Sequence, residues 1–314
     1  MNQQPSSPAA STPATGNVFA SLRYRKLRDR FIEIGLLACG LVAVAITLAI
    51  VAILVLESAT FFETVSLREF LTGREWTPLF ANPQYGILPL VSGTLTTTFV
   101  ALAVAIPFGT TIAIYLSEFA PHRVREALKP VLELLGAVPT VVYGYFALLV
   151  VTPTLQWLLP ELPGFNMLGA GIVMGLMIVP FVASVSEDAM RSVPVYMREG
   201  SYAMGATRLQ TALRVVVPGA FSGIAAAYIL GISRAVGATM VVAIAAGMQP
   251  NFTFNPTESA ATITAYIVQV SLGDLPHGSI GYQTIFAAGL VLMIITLLFN
   301  VAGFFLTRKF REAY

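Results

Sequence analysis

Arg234 stands deep inside a long apolar run, residues 220–247, that contains no acidic residue. A guanidinium near the centre of a bilayer costs about 2.5–3.5 kcal/mol on insertion scales, so something must offset it. Two readings are open. One is a buried ion pair that locks two helices, and the nearest acids for it are Glu133, Glu187 and Asp188. The other is a cation facing a wet path taken by an anion, since its planar fork of donors suits the oxygens of phosphate or sulfate. Ser233 and Thr239 beside it, and Thr94, Thr96, Thr97 and Thr98 on an earlier run, could share the desolvation. A bond to a carbonyl of its own helix is the competing role for each hydroxyl. Arg234, Ser233 and Thr239 are the candidate residues of a substrate pathway.

A second constellation occupies residues 187–218. Pro194 suits a helix start and Gly205 a helix stop. Thr207 with Gln210 makes a capping box for a second short helix. There Leu209, Ala212, Leu213 and Val216 fall on one face at i, i+3, i+4, i+7 spacing. Two short helices meeting at a glycine corner are expected. Geometry by itself leaves open whether they dock a partner or merely link two spans along the membrane surface.

Other chemistry is excluded more simply. The three lysines, Lys26, Lys129 and Lys309, precede Leu27, Pro130 and Phe310, so no phosphate-binding G-x-x-x-x-G-K-[ST] loop exists. Cys39 is the one cysteine, and His122 and His277 stand apart without ligand-like spacing. No catalytic constellation, metal site or nucleic-acid partner is expected, and no cofactor bound by this chain.

The elements that must position these residues are membrane helices. Apolar residues make up 56% of the 314 and charged ones 11%, with a mean hydropathy of +0.77. A soluble domain carries about 25% charge. Six apolar runs, at about 32–56, 94–116, 131–151, 168–186, 220–247 and 284–307, are long enough to span a bilayer of about 30 Å. Residues 1–30 read as a disordered tail, rich in Pro, Ser, Ala and Thr over their first two thirds. The rest, 31–310, reads as one transmembrane domain in contact with membrane lipid. Lys and Arg cluster in the amino-terminal segment, in the second and fourth loops and in the carboxyl tail, whereas the other side holds only Arg68 and Arg74. That asymmetry puts both termini in the cytoplasm.

Glu199-Gly200-Ser201, followed by Gly205-Ala206, resembles the Glu-Ala-Ala loop of bacterial ATP-binding-cassette (ABC) importer permeases. Gly86–Thr98, Tyr115–Pro121, Lys129–Gly144, Ser186–Ala189 and Gly231–Gly237 all look like the PstC-type permease of the phosphate-specific transport system, as does Phe70–Pro78. The resemblance covers about residues 30–310. It implies an all-α, six-transmembrane-helix, type I (MetI-like) importer permease in the bacterial plasma membrane, translocating inorganic phosphate. It further implies that Glu199, Gly200, Ser201, Gly205 and Ala206 form a coupling loop against an ATPase. The implied partners are a second permease (PstA type), an ATPase dimer (PstB type) that uses ATP and Mg, and an external phosphate-binding protein (PstS type). That protein would dock on loops including 57–86 and 248–283. The family usually reads Arg-Ala-x-Gly-Glu-Thr where this chain has Arg234-Ala-Val-Gly-Ala238-Thr239, so the accompanying glutamate is missing. Sulfate or molybdate as cargo, and more distantly an ion-coupled secondary transporter, are the alternatives.

Overall fold

The computed structural model describes residues 15–276 and 278–309. His277, the first fourteen residues of the tail and the last five of the chain lie outside them. Among the described residues the architecture is helical, with one isolated bridge between Trp76 and Tyr85. The described residues up to Ile53 form a unit of their own. That unit is the first part of α1 (Thr15–Thr64), which begins well inside the segment expected to be unstructured. After Pro13 nothing between Asn17 and Ile34 breaks a helix, and elongation from an apolar span is far cheaper than nucleation.

The second unit starts with the end of α1 and a short α2 (Leu67–Thr72). Then comes α3 (Leu88–Ile114), opened by Pro89 at its first turn and continued by a π-turn, Tyr115–Phe119. Next is α4 (His122–Ala137), an amphipathic helix with no fully buried residue. The third span was expected at 131–151 but is displaced. Val138 is extended ahead of Pro139, as the steric clash with a proline ring demands, and the helix stops there. The span runs instead through α5 (Thr140–Phe146), a π-turn and α6 (Thr152–Leu158).

α7 (Met167–Arg191) is the centre of the fold and its most buried span. The Asn166 side chain caps it, accepting from the Gly169 amide at 2.7 Å. Its glycines let α3 come close. A Cβ on Gly171 would lie 2.7 Å from Val100 Cβ, and one on Gly175 would lie 2.6 Å from the Ala101 carbonyl. Lipid offers no hydrophobic drive between helices, so such close backbone approach is what holds them.

The chain then forms α8 (Val195–Ala203), α9 (Arg208–Thr211), a π-turn at Ala212–Val216 and α10 (Val217–Gly219). It turns by 72° into α11 (Phe221–Val236). The run expected as one helix over 220–247 breaks after Val236. Gly237 weakens it, and the Ala238 carbonyl accepts from the Thr264 hydroxyl at 2.8 Å rather than from the next helical turn. The chain continues as α12 (Met240–Ala245), α13 (Ile263–Ser271) and the last span, α14 (Ile280–Lys309). Among the described residues five helices are long and apolar enough to cross a membrane, or six if the bent pair Arg208–Gly219 and Phe221–Val236 counts as one span.

Candidate functional site

The break puts Arg234 in the last turn of α11, three residues before the helix gives out, instead of midway along a continuous span. Unpaired carbonyls at a helix end favour a cation there. The side chain is exposed, and its guanidinium carbon lies 5.7 Å from the centre of the Phe181 ring on α7. No carboxylate forms an ion pair with it among the described residues. Two of the three acids considered from sequence are engaged elsewhere. Lys129 Nζ lies 3.0 Å from Glu187 and 2.7 Å from Asp188, and Arg191 lies 3.6 Å from Glu187. The third, Glu133, is exposed on α4.

The proposed pathway hydroxyls do not gather around Arg234. Ser233 donates to Asn300 on α14 at 3.0 Å, and Asn300 donates onward to the Thr296 carbonyl at 2.9 Å. Ser233 thus ties two helices together. Thr239 lies across the break and donates to the Gly237 carbonyl at 3.2 Å. On α3, Thr94 and Thr97 bond the carbonyls of Leu90 and Gly93 at 2.8 and 2.7 Å, and Thr94 also accepts from the Ile263 amide at 3.0 Å. Thr96 and Thr98 hold buried hydroxyls without a partner among the described residues. A nearby cavity of about 450 Å³, lined by Ile112, Leu135, Val142, Tyr143, Phe146 and Pro180, is apolar. It offers an ion nothing.

The glycine corner is built as its residues suggest. Gly205 has φ +82°, which a side chain would strain. The Thr207 side chain accepts from the Gln210 amide at 3.3 Å, and Gln210 accepts from the Thr207 amide at 2.9 Å. Ser201 and Thr211 share a hydroxyl hydrogen bond of 2.8 Å across the corner, and the Ala206 amide donates to the Ser201 carbonyl at 3.2 Å. Glu199 is exposed without an ion pair among the described residues, and nothing lies within 4 Å of a Cβ built on Gly200. Val195, Tyr196 and Met204 expose apolar surface on the same stretch. The expected common face of the second helix splits, with Ala212 and Val216 buried but Leu209 and Leu213 exposed. The π-turn at Ala212–Val216 adds a residue to the repeat and rotates the helix beyond it.

Sequence reasoning missed Lys129. It is held above its ordinary pKa, first by the hydrogen bond to Asp188, with Glu187 adding and burial opposing. The signal available was a lysine in one of the charged segments between apolar runs and two adjacent acids, Glu187-Asp188, in another. Phe181 and Thr264 were also missed, and nothing in their local sequence marks them. Among the described residues no group of His, Cys, Asp and Glu could hold a metal ion.

Residues 105–312 match the family model described as the binding-protein-dependent transport system inner membrane component. The chain is 38% identical to the probable ABC transporter permease protein YqgH of Bacillus subtilis (strain 168) over 264 residues, 83% of this chain and 85% of that one. It is 34% identical to the phosphate transport system permease protein PstC 1 of Mycobacterium tuberculosis, over 76% of this chain and 81% of that one. Among solved structures, a bacterial importer of the acidic polysaccharide alginate shares the fold with TM-score 0.64 at 18% identity, covering 92% of this chain and 99% of that one.

Proposed function

The chain belongs to the family of binding-protein-dependent transport system inner membrane components, and from that premise we propose that it is the permease subunit through which an ATP-driven importer passes inorganic phosphate. One observation carries the ion-path reading. Arg234 keeps a permanent charge and a free donor fork at the point where a span breaks, with no carboxylate on it among the described residues. Irregular backbone at membrane depth is tolerated where it is buried in protein or lines a water-filled cavity. The helix end supports the cation without using up its donors. An oxyanion beside it completes the balance. That the relatives named for phosphate transport match over most of their length supports phosphate as the cargo.

In this reading both termini face the cytoplasm of a bacterium, and a homologous second permease completes the path. An external binding protein delivers phosphate to loops that include 57–86 and 248–283. A separate ATPase dimer, using ATP and Mg, engages residues 187–218 with the unpaired Glu199 and the Gly205 corner toward it. Its cycle swings the helices between outward- and inward-open forms.

The test is uptake of radiolabelled inorganic phosphate by the reconstituted complex. Arg234→Gln should cut uptake by about a hundredfold with the complex still assembled, since a neutral amide offers an anion no charge. Normal uptake would remove Arg234 from the path. Competition by excess sulfate would make this a sulfate or molybdate importer, and uptake under an ion gradient without ATPase would make it a secondary transporter. Glu199→Lys should weaken co-purification of the ATPase, and an unchanged complex would end the docking assignment.

A further inference from the structure

Arg198 and Glu199 are neighbours on α8, yet they face opposite ways. Glu199 is exposed, whereas the Arg198 side chain is only 15% exposed and is turned into the protein. Its Nε and Nη2 donate to Glu118 Oε1 at 3.2 and 3.1 Å. Nη2 also donates to the Met190 carbonyl at 2.7 Å, and Nη1 to that of Val193 at 2.5 Å. The Glu118 side chain is 4% exposed, and Ser117 donates to the same carboxylate oxygen at 2.9 Å. One guanidinium therefore joins three elements: α8, the chain end of α7, and the π-turn that finishes α3.

This joint is of a different order from the hydroxyl tie across the corner. The Ser201–Thr211 hydroxyl bond is neutral and stays within the loop. The Arg198–Glu118 contact is charge-assisted and nearly dry, so parting it would strand a buried carboxylate. A push on α8 then moves α3 rather than being absorbed between them. The π-turn gives such a push a discrete outcome. Its closing bond runs from the Ala120 amide to the Tyr115 carbonyl, five residues back, at 2.8 Å. Returning that turn to an α-helical ladder shifts the register by one residue, about 100° of rotation and about 1.5 Å of rise.

We propose that Arg198 is a positioning residue, a strut that carries movement of the 187–218 loop into the second span through Glu118. The inference rests on the reading of that loop as the ATPase-coupling segment.

The experiment uses the whole transporter in proteoliposomes, with the external binding protein and radiolabelled inorganic phosphate, and reads phosphate moved and ATP hydrolysed in the same vesicles. Arg198→Gln, Glu118→Gln and the double variant are compared with the parent. The expected result is an assembled complex whose hydrolysis stays within about twofold while phosphate moved per ATP falls about fivefold or more. Two groups acting as one unit lose their effect together, so the double variant should match the singles. Unchanged phosphate per ATP in both singles would overturn the strut, and so would losses that multiply in the double variant. Loss of ATPase co-purification in Glu118→Gln would also overturn it, by making the pair a docking or folding element. Arg198→Gln leaves the buried Glu118 carboxyl without its partner and could fail to fold; Glu118→Gln removes that carboxyl and then decides. A Glu199→Lys variant run alongside separates the two claims. If it leaves ATPase association intact, the coupling assignment of the loop fails, whatever the strut variants do.

Discussion

An arginine at the end of a half-helix differs from one in the middle of a span, and the difference predicts how substitutions should grade. A lysine at 234 would keep the charge that the α11 carbonyls favour but lose the planar fork that can bind two oxygens at once. It would also lose the stacking of a flat cation on Phe181, an interaction of about 0.5–1 kcal/mol at an exposed site. Arg234→Lys should therefore retain measurable phosphate uptake with a KM raised about tenfold, between the parent and the glutamine variant. A lysine variant as inactive as glutamine would mean that fork geometry, and not charge, is the whole contribution. The cation itself was legible in the sequence because nothing else in 220–247 is charged. Its surroundings were not. Glu187 and Asp188 looked available to it only because the claim of Lys129, on a helix 58 residues earlier, is a tertiary fact.

At the scale of elements, most of the apolar runs fall within long apolar helices, and proline chemistry shifts the helix of one of them. The third span moved because the residues ahead of Pro139 form a separate amphipathic helix, α4, which hydrophobic counting had merged with it. The break after α11 was hidden for the opposite reason, since the residues on both sides of Gly237 are equally apolar. What pins α4 to α7 is Lys129, whose removal leaves Glu187 buried with only Arg191 at 3.6 Å. Lys129→Met should destabilise the protein by about 2–3 kcal/mol, less than the roughly 3–5 kcal/mol for breaking a fully buried pair, because Lys129 is partly exposed and Arg191 remains. The pH dependence has a definite sign. A base whose folded pKa is raised contributes stability that is fully present below its unfolded value, about 10.5, and lost as pH rises through the folded one. Thermal unfolding in detergent should show a constant gap between parent and variant from neutral pH up to that range, closing above it. A gap that closes below pH 9 would mean that some other group carries the contact.

For the molecule as a whole, the distribution of cations argues for a direction that the helices themselves do not give. Arg123, Arg125, Lys129, Arg191, Arg198, Arg208 and Arg214 all precede or follow spans on the side of α4 and α8, whereas Arg68 and Arg74 lie in the connection between α1 and α3. Loops rich in Lys and Arg stay cytoplasmic, because short basic segments resist translocation. In the orientation we propose, the glycine corner and the Arg198 joint face the compartment that holds ATP, and the aromatic cluster around Trp76 and Tyr266 faces the outside. Two well-exposed positions test this in intact cells once Cys39 is replaced by alanine: Met204, 88% exposed at the corner, and Phe80, 72% exposed in the first connection. A membrane-impermeant maleimide should label Phe80→Cys at once and Met204→Cys only after the membrane is opened. The reverse pattern would put the corner outside, out of reach of any cytoplasmic ATPase. The anion would then have to be driven from the other side of Arg234, or by another source of energy.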